Sequence, residues 1–464
     1  MNLDKLFKPK SIAVIGASRD ETAVGFGILK NLIKGTVFEN DGATGFPGKV
    51  FPVNPKADTL LDQKCYSSVL DIPDPVDLAV IVLPAKIVPV IMKQCVNKQV
   101  GAAIIISAGF GESGAEGKKL QDEVVSIAQK GNIRIVGPNC LGVIRPHACM
   151  NASFAPTVPP KGDIAFISQS GALVDSVVDW AVERDYGFST IVSYGNAADL
   201  ALHDYLQWLA DDEETKTIAL YIEGIQDGKK FMEVAREVSK KKPIIALKGG
   251  KTNAGSQAIS SHTGSLAGSY EAYKAAFHQS GVIIAEDLNE LFSTAFTLAN
   301  EPSSGKRMVI ITNAGGPGVC TADYCADLGI ELVEIKEETL AKLDASGVMH
   351  PAYSRRNPLD LVGDALPIRY QTALDILLGE TYIDGAIVIQ TLQTMTNPLQ
   401  DAAVIIAAKK KNPPKLIIAV FMGGKYTKEA VHMLENNGVP TFNDPHDAAK
   451  ALKKVIEYHS RKKT

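Results

Sequence analysis

Short apolar runs rich in valine and isoleucine alternate with helical patterns along nearly the whole chain. Runs of this kind, separated by helix-length segments, are typical of parallel sheets joined by crossover helices. The alternation therefore predicts an α/β fold. The predicted strands lie at residues 11–17, 49–55, 77–84, 102–109, 133–139, 163–170, 189–196, 217–224, 243–250, 282–287, 308–316, 385–391 and 415–424.

The predicted strands fall into three sets, and 464 residues suffice for three domains of ordinary size. The stretch NEPSSGKR is typical of a linker because of its proline, serine and glycine content. We predict three domains built on doubly wound parallel sheets. Their limits are residues 1–145, 146–299 and 308–464, with the linker at 300–307.

Composition and charge argue against nucleic-acid-binding, membrane and secreted proteins. A formal net charge of −4 gives no electrostatic reason to expect binding to nucleic acid or to a membrane surface. No apolar run reaches the roughly 18 residues of a membrane-spanning helix, and the N-terminal MNLDKLFKPK lacks the apolar core of a signal peptide. The six cysteines are scattered, without a CxxC pair. We therefore expect reduced thiols in a cytoplasmic protein and no metal site.

In doubly wound sheets, ligands bind beyond the carboxyl ends of the strands. The first such end reads VIGASRDETAVGFG, where Gly16 permits close backbone approach and Ser18 and Arg19 add a hydroxyl and a positive charge. Lys56, after the second strand, is placed to reach the same ligand. The spacing is not GxGxxG, and no acidic residue follows the second strand, which argues against a nicotinamide cofactor. A phosphate-bearing nucleotide moiety is the natural candidate.

Two later strands also end in glycine-rich turns. Ser168 and Ser170 precede Gly171, where we predict that a helix begins, and Gly315 and Gly316 open a second helix. A helix N-terminus favours anions, so each turn is a candidate phosphate site. An ordinary glycine-permitted turn is the alternative interpretation of each.

The most specific stretch is SQAISSHTGSLAGS, residues 256–269, in which His262 stands among small and hydroxyl residues. We predict a bare loop that leaves the imidazole accessible. A nucleophilic histidine needs one ring nitrogen free and the other held by a partner, and Glu223 at the end of the strand TIALYIEG can hold it. No further metal ligands stand at suitable spacing. There are two alternatives. His262 is a surface or core residue whose hydrogen bonds are satisfied and which has no catalytic role, or Glu223 forms a salt bridge at the end of its strand.

The motifs VIGAS, VNPK, VGPNCLG, FISQSGAL, SYGNAADL, YIEGI and ISSHTGSLAG, in this order, resemble the nucleoside-diphosphate-forming acyl-CoA synthetases. The resemblance is greatest to the ADP-forming acetyl-CoA synthetases and more distant to succinyl-CoA synthetase. It implies a Rossmann-like CoA-binding domain followed by two flavodoxin-like doubly wound domains. It also implies coenzyme A or acetyl-CoA contacts at Gly16, Ala17, Ser18, Arg19, Lys56, Ile106, Ser107 and Ala108.

The resemblance further implies that His262 is phosphorylated during turnover and that Glu223 orients it. Phosphate and substrate contacts are implied at Ser170, Gly171, Asn313, Gly315 and Gly316. The chain departs from succinyl-CoA synthetase at two places. Asp175 stands where that relative has a tyrosine, and Gln393 and Thr394 replace a Gly-Gly turn.

The expected reaction interconverts acyl-CoA, phosphate and ADP with acid, CoA and ATP through an acyl phosphate and a phosphohistidine. The chain contains no GxxxxGK[ST] phosphate loop and leaves no room for an ATP-grasp domain. The resemblance therefore implies that this chain is an α subunit. A β subunit with an ATP-grasp domain would bind ADP or ATP with Mg²⁺, in an α2β2 heterotetramer. The alternatives are a non-catalytic CoA-sensing protein, a succinyl-CoA synthetase-like ligase with another acyl substrate, and an NAD-dependent oxidoreductase.

Overall fold

Every predicted apolar run contains a β-strand in a computed structural model of the chain, which describes residues 3–38, 43–263, 269–301 and 305–461. For residues 260–263 only the backbone is described. The α/β prediction is confirmed. Two compact units make up the chain, Met1–Glu286 and Asp287–Thr464. Within the described residues, no helix combines the length and apolarity needed to cross a membrane.

The N-terminal unit opens with a parallel sheet in the order β2-β1-β5-β6-β7. Because the chain leaves β1 toward β2 and then returns to β5 on the other side, the sheet changes winding direction at β1, and ligands favour such a point. The strands are β1 (Ser11–Ile15), β2 (Lys49–Val53), β5 (Leu78–Ile81), β6 (Ala102–Ile105) and β7 (Arg134–Val136), with a small pair β3 (Thr59–Leu60) and β4 (Gln63–Lys64). The helices are α1 (Asp4–Phe7), α2 (Val24–Lys34), α3 (Val88–Lys98) and α4 (Ala115–Lys130).

The second sheet of this unit has the order β14-β13-β12-β10-β11-β8-β9. Its strands are β8 (Gly142–Arg145), β9 (Met150–Ser153), β10 (Lys161–Ser168), β11 (Phe188–Ser193), β12 (Thr217–Ile222), β13 (Ile244–Lys248) and β14 (Ile283–Ala285). Its helices are α5 (Gly171–Arg184), α6 (Leu202–Leu209), α7 (Gly228–Lys241), α8 (Asn253–Thr263) and α9 (Tyr270–Gln279).

An antiparallel hairpin, β8–β9, extends this sheet beyond β11 and was not predicted. Its strands are only four residues long and follow no helical segment, so they lack the alternation that revealed the others. Asn31 of α2 donates hydrogen bonds to the carbonyls of Ser153 and Ala155, 3.0 and 2.7 Å long, and fixes the hairpin against the first sheet.

The two sheets of the N-terminal unit share one hydrophobic core. Phe7 of α1 stacks on Trp208 of α6 with ring centroids 4.2 Å apart. At the end of the first sheet, Arg134 Nε donates to Asp199 Oδ2 at 2.8 Å, in the segment after β11. Burial of apolar surface in the shared core stabilises this arrangement, and these contacts fix the two sheets relative to each other.

The C-terminal unit has a parallel sheet in the order β16-β15-β18-β19-β20, with β17 also paired to β15. Its first helix, α10, precedes the predicted linker and packs on the last helix, α16. Residues 302–304 of the predicted linker lie outside the described residues. The strands are β15 (Arg307–Thr312), β16 (Glu331–Leu332), β17 (Leu359–Asp360), β18 (Gly385–Thr391), β19 (Leu416–Met422) and β20 (Thr441–Phe442). The helices are α10 (Leu288–Asn300), α11 (Gly315–Asp327), α12 (Glu337–Ala345), α13 (Pro367–Leu378), α14 (Pro398–Lys411), α15 (Lys428–Asn436) and α16 (Pro445–Arg461).

The predicted loop around His262 is wrong for residues 256–263, which belong to helix α8. Thr252 caps the helix by accepting from the amide of Gly255 at 3.2 Å. Ile259 is buried and anchors the helix to the unit. The cap and this anchor outweigh the weak helix propensity of serine and glycine, which differ from alanine by only about 0.5–1 kcal/mol each. Residues 264–268 of the predicted loop lie outside the described residues.

Two polar side chains in the C-terminal unit are fully buried, and each has side-chain atoms without a hydrogen-bond partner among the described residues. Both carboxyl oxygens of Asp401 in α14, and both amide atoms of Gln390 in β18, lack a hydrogen-bond partner within the described part of the chain. Burial raises the pKa of Asp401 to about 7. A carboxyl group whose pKa is raised on folding favours the folded state at low pH and opposes it once both states are ionised.

We predict that Asp401→Asn stabilises the chain at pH 8 and that this advantage shrinks by roughly 2–3 kcal/mol at pH 5. The cost of ionising Asp401 grows as pH rises from about 4 and is complete above about 7. Urea denaturation at both pH values measures the effect. Asp327→Asn, at the exposed end of α11, serves as the control. An Asp401→Asn advantage that is the same at both pH values would contradict the prediction.

Candidate functional site

A cavity of about 700 Å³ lies in the N-terminal unit, where the carboxyl ends of its two sheets face each other. We call it the inter-sheet cavity. The first sheet contributes loops that follow β6 and β7, and the second contributes the turns that follow β10, β11 and β12. Among the lining residues are Ile106, Glu112, Asn139, Gln169, Gly171, Asp175, Asn196 and Gly224.

The turn after β1 is tightly packed against its surroundings. Gly16 has φ = +97°, and a Cβ there would lie 2.2 Å from the carbonyl oxygen of Val82. A Cβ at Gly25, in the first turn of α2, would lie 2.1 Å from the carbonyl oxygen of Gly16. No side chain among the described residues caps α2, so its first amide groups remain available to an anion.

Two cations accompany this turn. Asn54 donates to the carbonyl of Ala17 at 2.7 Å and accepts from the amide of Lys56 at 2.8 Å, so the ends of β1 and β2 are held side by side. Arg19 and Lys56 are both exposed. Ser18 Oγ accepts from the amide of Asp20 at 3.0 Å, and its proton remains available for a ligand. The structure thus brings together Gly16, Ala17, Ser18, Arg19 and Lys56 at one sheet edge.

The stretch Ile106–Ala108 follows β6 at the same edge. Ser107 Oγ donates to the carbonyl of Leu83 and accepts from its amide at 3.1 Å, which ties the ends of β5 and β6 together. Ile106 lines the inter-sheet cavity, and Ala108 is exposed. This stretch therefore connects the carboxyl edge of the first sheet to the cavity.

The turn after β10 carries the second predicted anion site. Ser168 Oγ accepts from the amide of Ser170 at 3.1 Å and donates to its carbonyl at 2.9 Å. Ser170 Oγ caps α5 by accepting from the amide of Leu173 at 3.3 Å. Gly171 starts the helix, as predicted, and lines the cavity.

Gln169 connects this turn to Glu223. Its side-chain oxygen accepts hydrogen bonds from the amides of Glu223 and Gly224, 2.5 and 2.8 Å long. Glu223 follows β12 directly and is only 5% exposed. The backbone at Glu223 is therefore fixed from the neighbouring strand, and Gly224 takes its place in the cavity wall.

A buried lysine lies near the Glu223 carboxylate. Lys248, which ends β13, is 1% exposed, and its Nζ lies 4.6 Å from the centre of the Tyr273 ring. Burial lowers the pKa of Lys248, and the negative charge of Glu223 partly opposes that shift. Burial and the same charge raise the pKa of Tyr194. Lys248 and Tyr194 therefore both lie close enough to Glu223 for its charge to change their pKa values.

The backbone of His262 lies in α8, which follows β13, and β13 is the neighbour of β12. The helix therefore begins at the sheet edge where Glu223 lies. The side chain of His262 lies outside what the structure describes. Its contact with Glu223 stays a prediction.

Two loops from different sheets meet across the cavity. Asn196 Nδ2 donates to Glu112 Oε2 at 2.5 Å and to Gln121 Oε1 at 3.1 Å. Burial raises the pKa of Glu112, but hydrogen bonds from Asn196 and from the amides of Gly109 and Phe110 outweigh it and hold that pKa below its usual value. Glu112 is therefore a charged member of the cavity wall.

The turn after β15 in the C-terminal unit repeats the geometry of the turn after β10. Thr312 Oγ1 accepts from the amide of Ala314 at 3.0 Å, as Ser168 does for Ser170. Asn313 is fully buried and exchanges hydrogen bonds of 2.9 Å with the backbone of Thr391 at the end of β18. These contacts of Asn313 are internal to the unit.

Helix α11 begins at Gly315, as predicted, and differs from α5 at its cap. Ala314 stands where α5 has Ser170, and no described side chain caps α11. No described atom lies within 4 Å of the position that a Cβ of Gly316 would occupy. The first amides of α11 are therefore open to an anion.

Sequence reasoning assigned no individual role to the residues that fix the site, although they lie at or near the ends of predicted strands. Gln169 directly follows β10, Lys248 ends β13 and Asn196 lies three residues after β11, so their positions near strand ends were a usable signal. The contact of Glu112 with Asn196 gave no signal, because the two residues are 84 positions apart in the sequence. Within the described ranges, no three histidine, cysteine or acidic side chains are grouped as metal ligands.

Three family models match successive parts of the chain. They are a CoA binding domain over residues 10–146, a succinyl-CoA ligase like flavodoxin domain over 161–298 and a ligase-CoA domain over 308–457.

Two curated relatives and one solved structure are similar over nearly the whole chain. The α subunit of ADP-forming acetate–CoA ligase II of Pyrococcus furiosus is 44% identical over 98% of this chain and 97% of its own length. ADP-forming acetate–CoA ligase I of Archaeoglobus fulgidus is also 44% identical over 98% of this chain, which spans 64% of that relative. Acetyl-coenzyme A synthetase 1 of Candidatus Korarchaeum cryptofilum, solved with phosphate and ADP, gives a TM-score of 0.92 at 36% identity, covering 100% of this chain and 98% of the other.

Proposed function

The chain belongs to the family of ADP-forming acetate–CoA ligases, and we propose that it acts as their α subunit. In this function an acyl-CoA, phosphate and ADP are converted reversibly into the free acid, CoA and ATP. One observation carries the proposal. A single cavity reaches from the stretch at Ile106 to the helix N-terminus at Gly171 and to Gly224, the neighbour of Glu223.

Coenzyme A binds, in this proposal, along the carboxyl edge of the first sheet. The uncapped N-terminus of α2 and the cations Arg19 and Lys56 take its phosphates, because amide donors and positive charge there favour an anion. Ile106, Ser107 and Ala108 guide the rest of the molecule toward the inter-sheet cavity. The thioester then reaches the N-terminus of α5.

The chemistry proceeds in three displacements, of which this chain's residues serve the first two; in the third, a terminal phosphate oxygen of ADP attacks the phosphorus, the P–N bond to His262 breaks, and ATP forms. A phosphate oxygen attacks the thioester carbonyl, the C–S bond breaks, and the CoA thiolate leaves and takes up a proton. An imidazole nitrogen of His262 then attacks the phosphorus of the acyl phosphate, and the carboxylate leaves. The hydroxyl of Ser170 and the amides at Gly171 stabilise the phosphate oxygens in both steps.

Glu223 holds the second ring nitrogen of His262 in this proposal. A carboxylate that accepts the proton of that nitrogen fixes the tautomer and stabilises the positive charge that the ring gains when its other nitrogen attacks. The position of Glu223 supports the role, since Gln169 fixes its backbone and Lys248 supplies a nearby positive charge.

The turn at Gly315 and Gly316 provides a second phosphate cradle. Its open amides support this assignment, and the internal hydrogen bonds of Asn313 support a positioning role for that residue. Convergence of the two turns on a phosphorylated His262 stays a prediction.

We further propose that a β subunit with an ATP-grasp domain binds ADP or ATP with Mg²⁺ and completes an α2β2 heterotetramer. The Archaeoglobus relative supports a further module, because this chain spans only 64% of it. The proposed domain limits of this chain are 1–145, 146–299 and 308–464, joined at 300–307.

Replacing Glu223 with glutamine should lower the rate of ATP formation from acetyl-CoA, phosphate and ADP by a factor on the order of 10²–10⁴. Glutamine keeps the shape of the side chain but loses the charge that stabilises the imidazolium. The assay uses the chain together with its partner subunit.

Glu286→Gln is the matched control, because Glu286 directly follows β14 at the same edge of the sheet and is exposed. We expect that variant to remain within about three-fold of the wild type, as surface substitutions usually do. Equal activity of the Glu223→Gln variant and this control would count against the role of Glu223.

Bound phosphate should slow hydrogen exchange of the α11 amides. Replacing Gly316 with valine should abolish this protection without unfolding the C-terminal unit. The added side chain meets no described atom but stands in front of the open amides of α11. Hydrogen exchange of the α11 amides, with and without phosphate, measures the effect. Gly228→Val is the control, since Gly228 also opens a helix with free space around its Cβ position but has Asp227 as a cap. Phosphate protection that survives in Gly316→Val would contradict this assignment.

A further inference from the structure

Asp175 lies on the cavity-facing side of α5. Gly171, Ala172 and Asp175 all line the inter-sheet cavity, and their spacing of three and four residues places them along one side of the helix. Asp175 therefore stands one turn beyond the helix N-terminus, about 5–6 Å further along. Nothing in the proposed chemistry uses this side chain.

The Asp175 carboxyl group is poorly compensated. Its Oδ1 atom is buried and has no hydrogen-bond partner in the described part of the chain. Burial raises the pKa of Asp175 to about 6, so the group is mostly ionised at pH 7.5. A buried carboxylate oxygen without a donor is costly, which suggests a role that offsets its effect on stability.

The other charges of the cavity do not neutralise Asp175. Glu112 is the second acidic group in the wall, and its low pKa keeps it charged. Lys118 also lines the cavity, but its Nζ pairs with Asp122 at 2.5 Å. The cavity wall thus carries two carboxylates and one lysine that is already paired with Asp122, whereas the cations Arg19 and Lys56 lie at the first-sheet edge.

The inter-sheet cavity also has apolar parts in its wall. Leu141, Phe154 and Ile225 line the same cavity. The proposed function brings the thioester to the N-terminus of α5, with its carbonyl beside the phosphate held at Gly171, so a short acyl chain that extends along α5 passes these apolar groups. Its far end then meets Asp175.

We propose that Asp175 determines the acyl specificity of this chain, admitting short uncharged acyl groups and rejecting those that end in a carboxylate. The inference rests on the proposed function, since that function places the acyl group at α5. The repulsion between the Asp175 carboxylate and a terminal carboxylate of the acyl group supplies the discrimination.

The test compares butyryl-CoA with succinyl-CoA, which have acyl chains of equal length but differ in terminal charge. Calorimetric titration of the full-length chain at pH 7.5 gives the affinity for each thioester. We expect the wild type to bind butyryl-CoA at least about ten-fold more tightly. Asp175→Asn should remove most of this difference by strengthening succinyl-CoA binding, with the affinity for butyryl-CoA unchanged within about three-fold.

Asp179→Asn is the matched control, because Asp179 lies one turn further along α5, is exposed and does not line the cavity. It should retain the wild-type preference. An unchanged preference in Asp175→Asn, or no preference in the wild type, overturns the inference while leaving CoA binding intact. Failure of the wild type to bind either thioester overturns the proposed function together with the inference.

Discussion

The amide side chain of Gln169 joins the end of β10 to the end of β12, and the geometry of the candidate site depends on this bridge. It accepts from two successive amides at Glu223 and Gly224, so that the carboxylate and the cavity wall are set by one group. Asn313 performs the corresponding task in the C-terminal unit, where it bridges β15 and β18. The turns after β10 and after β15 thus use the same device. A buried amide that satisfies backbone donors at strand ends is stabilising and also positions the residues of the adjoining turn.

Charge is separated along the proposed path of the substrate. The cations Arg19 and Lys56 stand at the edge of the first sheet, with the uncapped α2, whereas the inter-sheet cavity contains the acids Glu112 and Asp175. A molecule with a polyanionic end and a small neutral end fits this polarity in one orientation only. The shared core of the two sheets, with Phe7 stacked on Trp208, keeps the two regions at a constant separation.

Much of this architecture can be predicted from the sequence because the central strands are apolar on both faces and end in recognisable turns. The turns at Gly16, Gly171 and Gly315 were predicted for that reason. The β8–β9 hairpin was missed because its strands are short and lack crossover helices. Helix α8 was predicted as a loop, since serine-rich composition obscured the cap at Thr252. The contact of Asn196 with Glu112 depends on tertiary folding, and no local pattern predicts it.

The most direct test of the proposed mechanism is the location of the phosphoryl group during turnover. The chain and its partner subunit are incubated with acetyl-CoA and labelled inorganic phosphate, and the labelled peptide is identified by mass spectrometry under alkaline conditions. The mechanism predicts an acid-labile, base-stable label on His262 that is absent from His262→Gln, while that variant still binds CoA. A label on another residue, or ATP formation by His262→Gln at the wild-type rate, would contradict it.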